Sequence, residues 1–147
     1  DWTKIAEIKN NPRMHIPVFG NGDVNSPEKA KEMRDDYGLD GAMIGRASIG
    51  NPWFFNQVKN YLQTGKKIDE PTIAERADMA IRHLKMALDW KGDVLGVLET
   101  RRHYGTYFKG IANFKETKSK ILRENDPATI LHELELVKKT FFEKELV

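Results

Sequence analysis

Ser26-Pro27, just behind the dipeptide Asn21-Gly22, decides what the first third of this chain can become. Asn-Gly after a run such as Val18-Phe19 is the strongest short-range hairpin signal. A hairpin needs a second strand at once, yet Ser26 is a helix N-cap residue and Pro27 suits the first helical position. Proline also lacks the N–H that a central strand donates. The loop therefore leads from a strand into a helix. "HIPVFG" and "GAMIG" are compact apolar runs of strand length without polar alternation, and the helix between them ends at Gly38. Such runs suit strands buried on both faces of a parallel sheet. Asn51-Pro52 predicts a further helix start, with Gly65 as its stop.

From about Glu70 the strand signals cease. Thr72 to Lys91 sets Ile73, Ala77, Ala80, Leu84 and Ala87 on one helical face, and Val94 to Gly110 does the same with Val97, Tyr104, Phe108 and Ile111. Lys115 to Arg123 is a shorter helix, and a last one opens at Asp126-Pro127 and stacks Ile130, Leu134, Val137 and Phe141. Four helices on short loops make a bundle. "TGKKIDEP" joins the halves, which predicts domains over 1–65 and 66–147. Two parallel strands cannot cover both of their own faces, so the first half reads as the last two βα units of a TIM barrel. The fold class is thus an α/β piece followed by an all-α helical bundle, mostly helical overall. Orphaned apolar strands would also favour dimerisation.

The chain of 147 residues has no cysteine, which excludes disulfides, thiolate metal sites and a cysteine nucleophile within it. His15, His83, His103 and His132 have no ligand-like spacing, so no metal site is expected. Neither a membrane span nor a signal peptide is legible, and a cytoplasmic setting fits. The net charge of +2 announces no nucleic acid partner, so any basic surface must be local. Asp1-Trp2-Thr3 lacks an initiator methionine and reads as a helix already under way, which suggests a fragment.

The two strand ends, "GNGD" and "GR", lie about one βα unit apart. In TIM barrels the loops after the last two strands commonly hold a phosphate through backbone N–H groups. Asn21, Gly22 and Asp23 would offer amides, Gly45 a close backbone approach and Arg46 a charge. On spacing alone the glycines serve equally for tight turns, with Arg46 paired to a surface carboxylate.

"IPVFGNGDVNSPEKAKEM" followed by "GLDGAMIGRASIGNPWFF" resembles the end of the barrel of flavin-dependent tRNA-dihydrouridine synthases. The helices around "ETRRHYGTYFKG" resemble that family's tRNA-binding domain. The resemblance implies an oxidoreductase that uses NADPH-reduced FMN to saturate the C5–C6 bond of uridines in tRNA. It also implies FMN-phosphate contacts from Asn21, Gly22, Asp23, Gly45 and Arg46, and a cysteine general acid that this chain does not contain. Old yellow enzymes share a Gly-Arg strand end but lack the helical domain. A non-catalytic helical interaction module is the other alternative.

Arg102 and Lys109 lie seven apart on the expected Val94–Gly110 helix, with Gly105 and Thr106 between them. Small residues beside two cations would admit an RNA backbone. His103, beside Arg102, reads as a polar surface histidine within reach of the same RNA. Arg101, nearer the apolar stripe, is expected to be partly buried and paired with Glu99 or another acid. Together Arg101, Arg102, His103 and Lys109 are the candidate RNA-binding residues, and Lys115, Lys118, Lys120 and Arg123 are a second place for phosphate contacts. Trp53, Phe54 and Phe55 read as core packing rather than as base-stacking platforms.

Overall fold

The computed structural model describes residues 1–145, which fall into two compact units divided between Asp69 and Glu70. The first begins with α1 (Trp2–Lys9), capped by the Asp1 carboxylate, which accepts from the Thr3 N–H at 3.0 Å. Strand β1 (Phe19–Asn21), helix α2 (Pro27–Asp35) and strand β2 (Gly41–Met43) follow, then a 3-10 turn (Arg46–Ser48) and α3 (Phe54–Thr64). The strands pair in parallel, Phe19 with Gly41, Gly20 with Ala42 and Asn21 with Met43. A parallel pair requires a crossover, and α2 provides it. Its start is as the sequence predicts: Ser26 Oγ accepts from the Lys29 N–H at 3.2 Å, with Pro27 in the first turn.

The inner face of this pair packs on α2 and α3 through Val24, Ala30, Met33, Leu39, Phe54 and Val58. Gly20 is required by that packing, since a Cβ there would lie 2.4 Å from Met33 Sδ. Asp40 ties the strand starts together, accepting from the Val18 N–H at 2.7 Å and from Lys9 Nζ at 2.6 Å. Among the described residues helices pack on one face of the pair only, so Phe19 is 66% and Met43 57% exposed, in line with the expectation that two strands cannot cover both of their own faces. The predicted start of α3 at Asn51-Pro52 is also corrected. Gly50 at φ 64° sets up a turn in which Asn51 C=O accepts from the Phe54 N–H at 3.3 Å, so the helix begins at Phe54. Gly65 ends it in the left-handed conformation, as predicted. Phe54 is buried in this core, whereas Phe55 is half exposed.

The second unit opens with a capping box, Thr72 Oγ1 accepting from Glu75 N–H at 3.2 Å and Glu75 Oε2 from Thr72 N–H at 2.8 Å. Helix α4 (Ile73–Tyr107) is broken at Gly92, φ 74° and ψ 175°, into two arms. The arms fold back on one another. His83 meets Tyr107 and His103 across them, Lys91 bonds Glu99, and a Cβ on Gly96 would lie 2.9 Å from the backbone N of Leu88. The predicted helix to Gly110 stops at Tyr107, since Gly110 turns at φ 81°, so Lys109 lies beyond the helix. Helices α5 (Lys115–Arg123) and α6 (Pro127–Glu145) complete the unit, the latter capped by Asp126, which accepts from the Thr129 N–H at 2.8 Å.

Ala77, Ala80, Leu84, Val97, Tyr104, Ile121, Ile130 and Leu134 are buried at its centre. Burying an aliphatic side chain contributes roughly 1.5–3 kcal/mol, against about 0–1 for an exposed ion pair. The apolar stripes therefore hold this unit, and pairs such as Lys138–Asp78 at 2.5 Å trim it.

Backbone contact at Gly96 sets a test. Gly96→Ala, whose new methyl meets the backbone of Ala87 and Leu88, should lose about 1–3 kcal/mol in urea unfolding. Gly105→Ala, in open helical surface, should gain about 0.5–1 kcal/mol. Equal effects at the two sites would show that the arms do not meet as described.

Candidate functional site

Parallel register brings the two loops after β1 and β2 out side by side, because Asn21 lies opposite Met43. A pocket of about 670 Å3 opens there, and Asn21, Gly22, Asp23, Gly45 and Arg46 all line it. Gly22 at φ 140° and Asp23 at φ 48° hold a backbone that side chains rarely adopt. A Cβ on Gly22 would also lie 3.0 Å from Trp2 Nε1. At Gly45, whose would-be Cβ meets nothing within 4 Å, the carbonyl accepts from Ser48 Oγ at 2.8 Å. Arg46 Nη2 donates to Asp23 Oδ1 at 2.6 Å, with the two side chains 88% and 80% exposed. So exposed a pair adds little stability. It does aim the guanidinium across the pocket mouth, leaving most of its five donors available to an anion. The carboxylate partner envisaged for Arg46 is thus a neighbour in the same pocket. Val24, buried beneath the loop, and Asn25, Met43 and Ala47 also line the pocket and were missed from sequence. An apolar residue inside a polar loop was the signal for Val24.

The helical candidates separate. Arg101 Nη2 donates to the Glu124 carbonyl at 2.7 Å and to Asn125 Oδ1 at 2.8 Å. The expected carboxylate partner is corrected: backbone and amide oxygens of the α5–α6 connection reach it first, which makes Arg101 a strut between helices. Arg102 is exposed, and its Nε donates to His103 Nε2 at 3.3 Å. The His103 ring stands edge-on to His83 at 4.5 Å, and Tyr107 Oη lies 3.3 Å from His83 Nδ1. Lys109 is exposed past the helix end. Gly105 leaves open space as expected, and Lys118 Nζ donates to its carbonyl at 3.3 Å. Lys120 is engaged with Glu133 at 2.6 Å. His83 was not foreseen beside His103, and the signal was their near-symmetric placement about Gly92.

Burial holds the His83 and His103 rings below the ordinary imidazole range, and the Arg102 charge lowers both further. For His103 the His83 ring ranks second after burial. Burial likewise pushes the Tyr104 and Tyr107 hydroxyls up to about 12. The basic face therefore carries one fixed charge at Arg102 beside two neutral imidazoles at neutral pH.

A two-stranded parallel βα pair with a glycine-bordered pocket at its loop end, accompanied by a helical unit, defines a class of α/β proteins joined to a helical module. The model of the dihydrouridine synthase family matches residues 1–144. The chain is 38% identical over 130 residues to a probable tRNA-dihydrouridine synthase of Rickettsia conorii, covering 88% of this chain and 39% of that one. It is 40% identical over 120 residues to tRNA-dihydrouridine synthase B of Pseudomonas putida, covering 82% and 35%. With the same enzyme of Shewanella oneidensis it shares 39% over 107 residues, covering 73% and 33%. The chain belongs to the dihydrouridine synthase family. It spans between a third and two fifths of the length of these relatives.

The histidine pair has a measurable consequence. A folded pKa below the ordinary 6.5 means the unfolded chain binds more protons in that window, so stability falls as pH drops through about 6.5. The melting temperature should decline between about pH 7 and pH 5.5, above the range where the lowered carboxylates titrate. His83→Gln with His103→Gln should flatten that decline, and an unchanged slope in the double variant would contradict the assignment.

Proposed function

We propose that these residues supply the FMN-phosphate lip and the tRNA-gripping helices of a tRNA-dihydrouridine synthase, an oxidoreductase that reduces uridine to 5,6-dihydrouridine in tRNA. The observation that carries this reading is the convergence of Asn21, Gly22, Asp23, Gly45 and Arg46 on one pocket in a chain of this family. Their chemistry fits a phosphate: backbone amides on a left-handed turn, an exposed guanidinium and no bulky side chain on the glycines. FMN held by its phosphate at these loops, and reduced by NADPH, would supply hydride chemistry for the uracil ring. Arg46 offsets the phosphate charge, and Asp23 orients Arg46. A proton for the second uracil carbon would need a general acid, and these residues hold no cysteine to supply it. The relatives named above are tRNA-modifying by name, and Arg102 and Lys109 are the cations placed to meet tRNA phosphates.

Two measurements test this. Gel-shift titration of unmodified tRNA at rising salt should show weaker binding for Arg102→Ala with Lys109→Ala, and a log–log salt slope lower by about 2, one for each phosphate no longer neutralised. Identical affinity and slope would overturn the RNA assignment. Because these residues grip only the phosphate end, the 147-residue chain should release FMN on desalting, followed by flavin absorbance. A yellow protein with stoichiometric flavin would show that they hold the rest of the cofactor too.

A further inference from the structure

Beyond the phosphate contacts, the two arms of α4 enclose a groove of about 420 Å3. His83, Met86 and Trp90 line it from the first arm, and Glu99, Arg102 and His103 from the second. It exists because Gly92 reverses the chain and Gly96 lets the arms touch backbone to backbone. Trp90 stands in the last turn before that reversal and is 82% exposed, with Met86 also exposed. An indole left in water forgoes the gain that burial of a large apolar side chain brings, and beside cations such a ring is a common element of binding surfaces. Lys91 Nζ lies 4.8 Å from the Trp90 ring centroid, and its bond to Glu99 across the turn tethers it there. With Lys91 on one face, the exposed ring keeps open surface for a second planar group.

We infer that this groove takes one unpaired RNA nucleotide, its base stacked on Trp90 and its phosphate on Arg102. The inference rests on the tRNA reading above and deepens it. An aromatic platform next to cations is how single strands are held without regard to sequence. The groove volume lies within the roughly 300–1,000 Å3 of small-ligand sites, which suits a single nucleotide and not a duplex. Only an unstacked base, from a loop, bulge or strand end, presents the face that Trp90 needs. The edge-on histidines form part of the wall, His83 Nδ1 beside Tyr107 Oη and His103 Nε2 accepting from Arg102. Arg102 spends one N–H on His103 and directs charge at the same opening.

The probe is a short fluorescein-labelled single-stranded RNA of mixed sequence, compared with the same strand annealed to its complement and with unmodified tRNA, all against the full 147-residue chain. Trp90→Ala should weaken single-strand binding about 5- to 160-fold, the range expected for removing one base stack, while duplex binding and the salt slope stay unchanged. Trp90→Phe should restore most of that affinity, and Arg102→Ala should lower the single-strand salt slope by about 0.7. Trp90 packs against no core, so its variants report on binding rather than folding. Equal weakening on strand and duplex, or none on either, overturns the groove assignment. So does a Trp90-dependent self-association at unchanged RNA affinity, which would mark the surface as a protein contact. A wild-type chain that binds neither tRNA nor single strand defeats the tRNA reading and the groove together. tRNA binding that depends on Arg102 and Lys109 but not on Trp90 defeats the groove alone.

Discussion

The parallel pairing of β1 with β2 is the constraint on which the first unit depends. Two strands of three residues exchange few hydrogen bonds, and alone they would not persist in water. What keeps them in register is the crossover: α2 and the residues after it lay Met33 and Leu39 on Gly20, and Asp40 bonds Val18 and Lys9 at the strand starts. A slip by one residue would turn Gly20 out and drive Phe19 into Met33. The same register sets Asn21 beside Met43 and so places both loops on one pocket. Packing on one face of the sheet thus positions the pocket-lining groups at its end.

In the second unit the comparable device is a pair of glycines. Gly92 reverses the chain with a backbone that L side chains resist, and Gly96 removes the side chain where the returning arm crosses Ala87 and Leu88. Tight crossing fixes which residues face each other, so His83 meets both His103 and Tyr107 while Lys91 reaches Glu99. A single composite face results from positions far apart in sequence.

Local chemistry was legible wherever one residue or a short period decides the outcome. Ser26-Pro27 started α2, Gly65 ended α3, Asp126 capped α6, and the stripe of Ile130, Leu134 and Val137 is buried as the period required. The five lip residues were legible because a βα unit brings its loops together by topology. Failures arose where a competing local group or a tertiary neighbour won. Gly50 shifted the α3 start past Asn51-Pro52, Gly110 cut Lys109 out of its helix, and the α5–α6 carbonyl took Arg101 from the acids. Periodicity names a face but not its partner, so the His83–His103 contact could not be read from spacing.

The two exposed arginines differ in what holds them, and that difference sorts the anions they suit. Arg46 is bonded to a carboxylate, so the pair is close to neutral, and a bound phosphate there must draw on backbone N–H groups of the Gly22 turn as well as on the guanidinium. Such a site rewards a phosphate that fits the turn and tolerates few others. Arg102 is bonded to an imidazole that burial and the arginine itself keep neutral, so its full charge remains at the surface. A charge of that kind attracts any phosphodiester and leaves selection to neighbouring shape. On the reading proposed above, the first arrangement would suit a cofactor phosphate held in one pose, and the second a polymer gripped at many sequences and released.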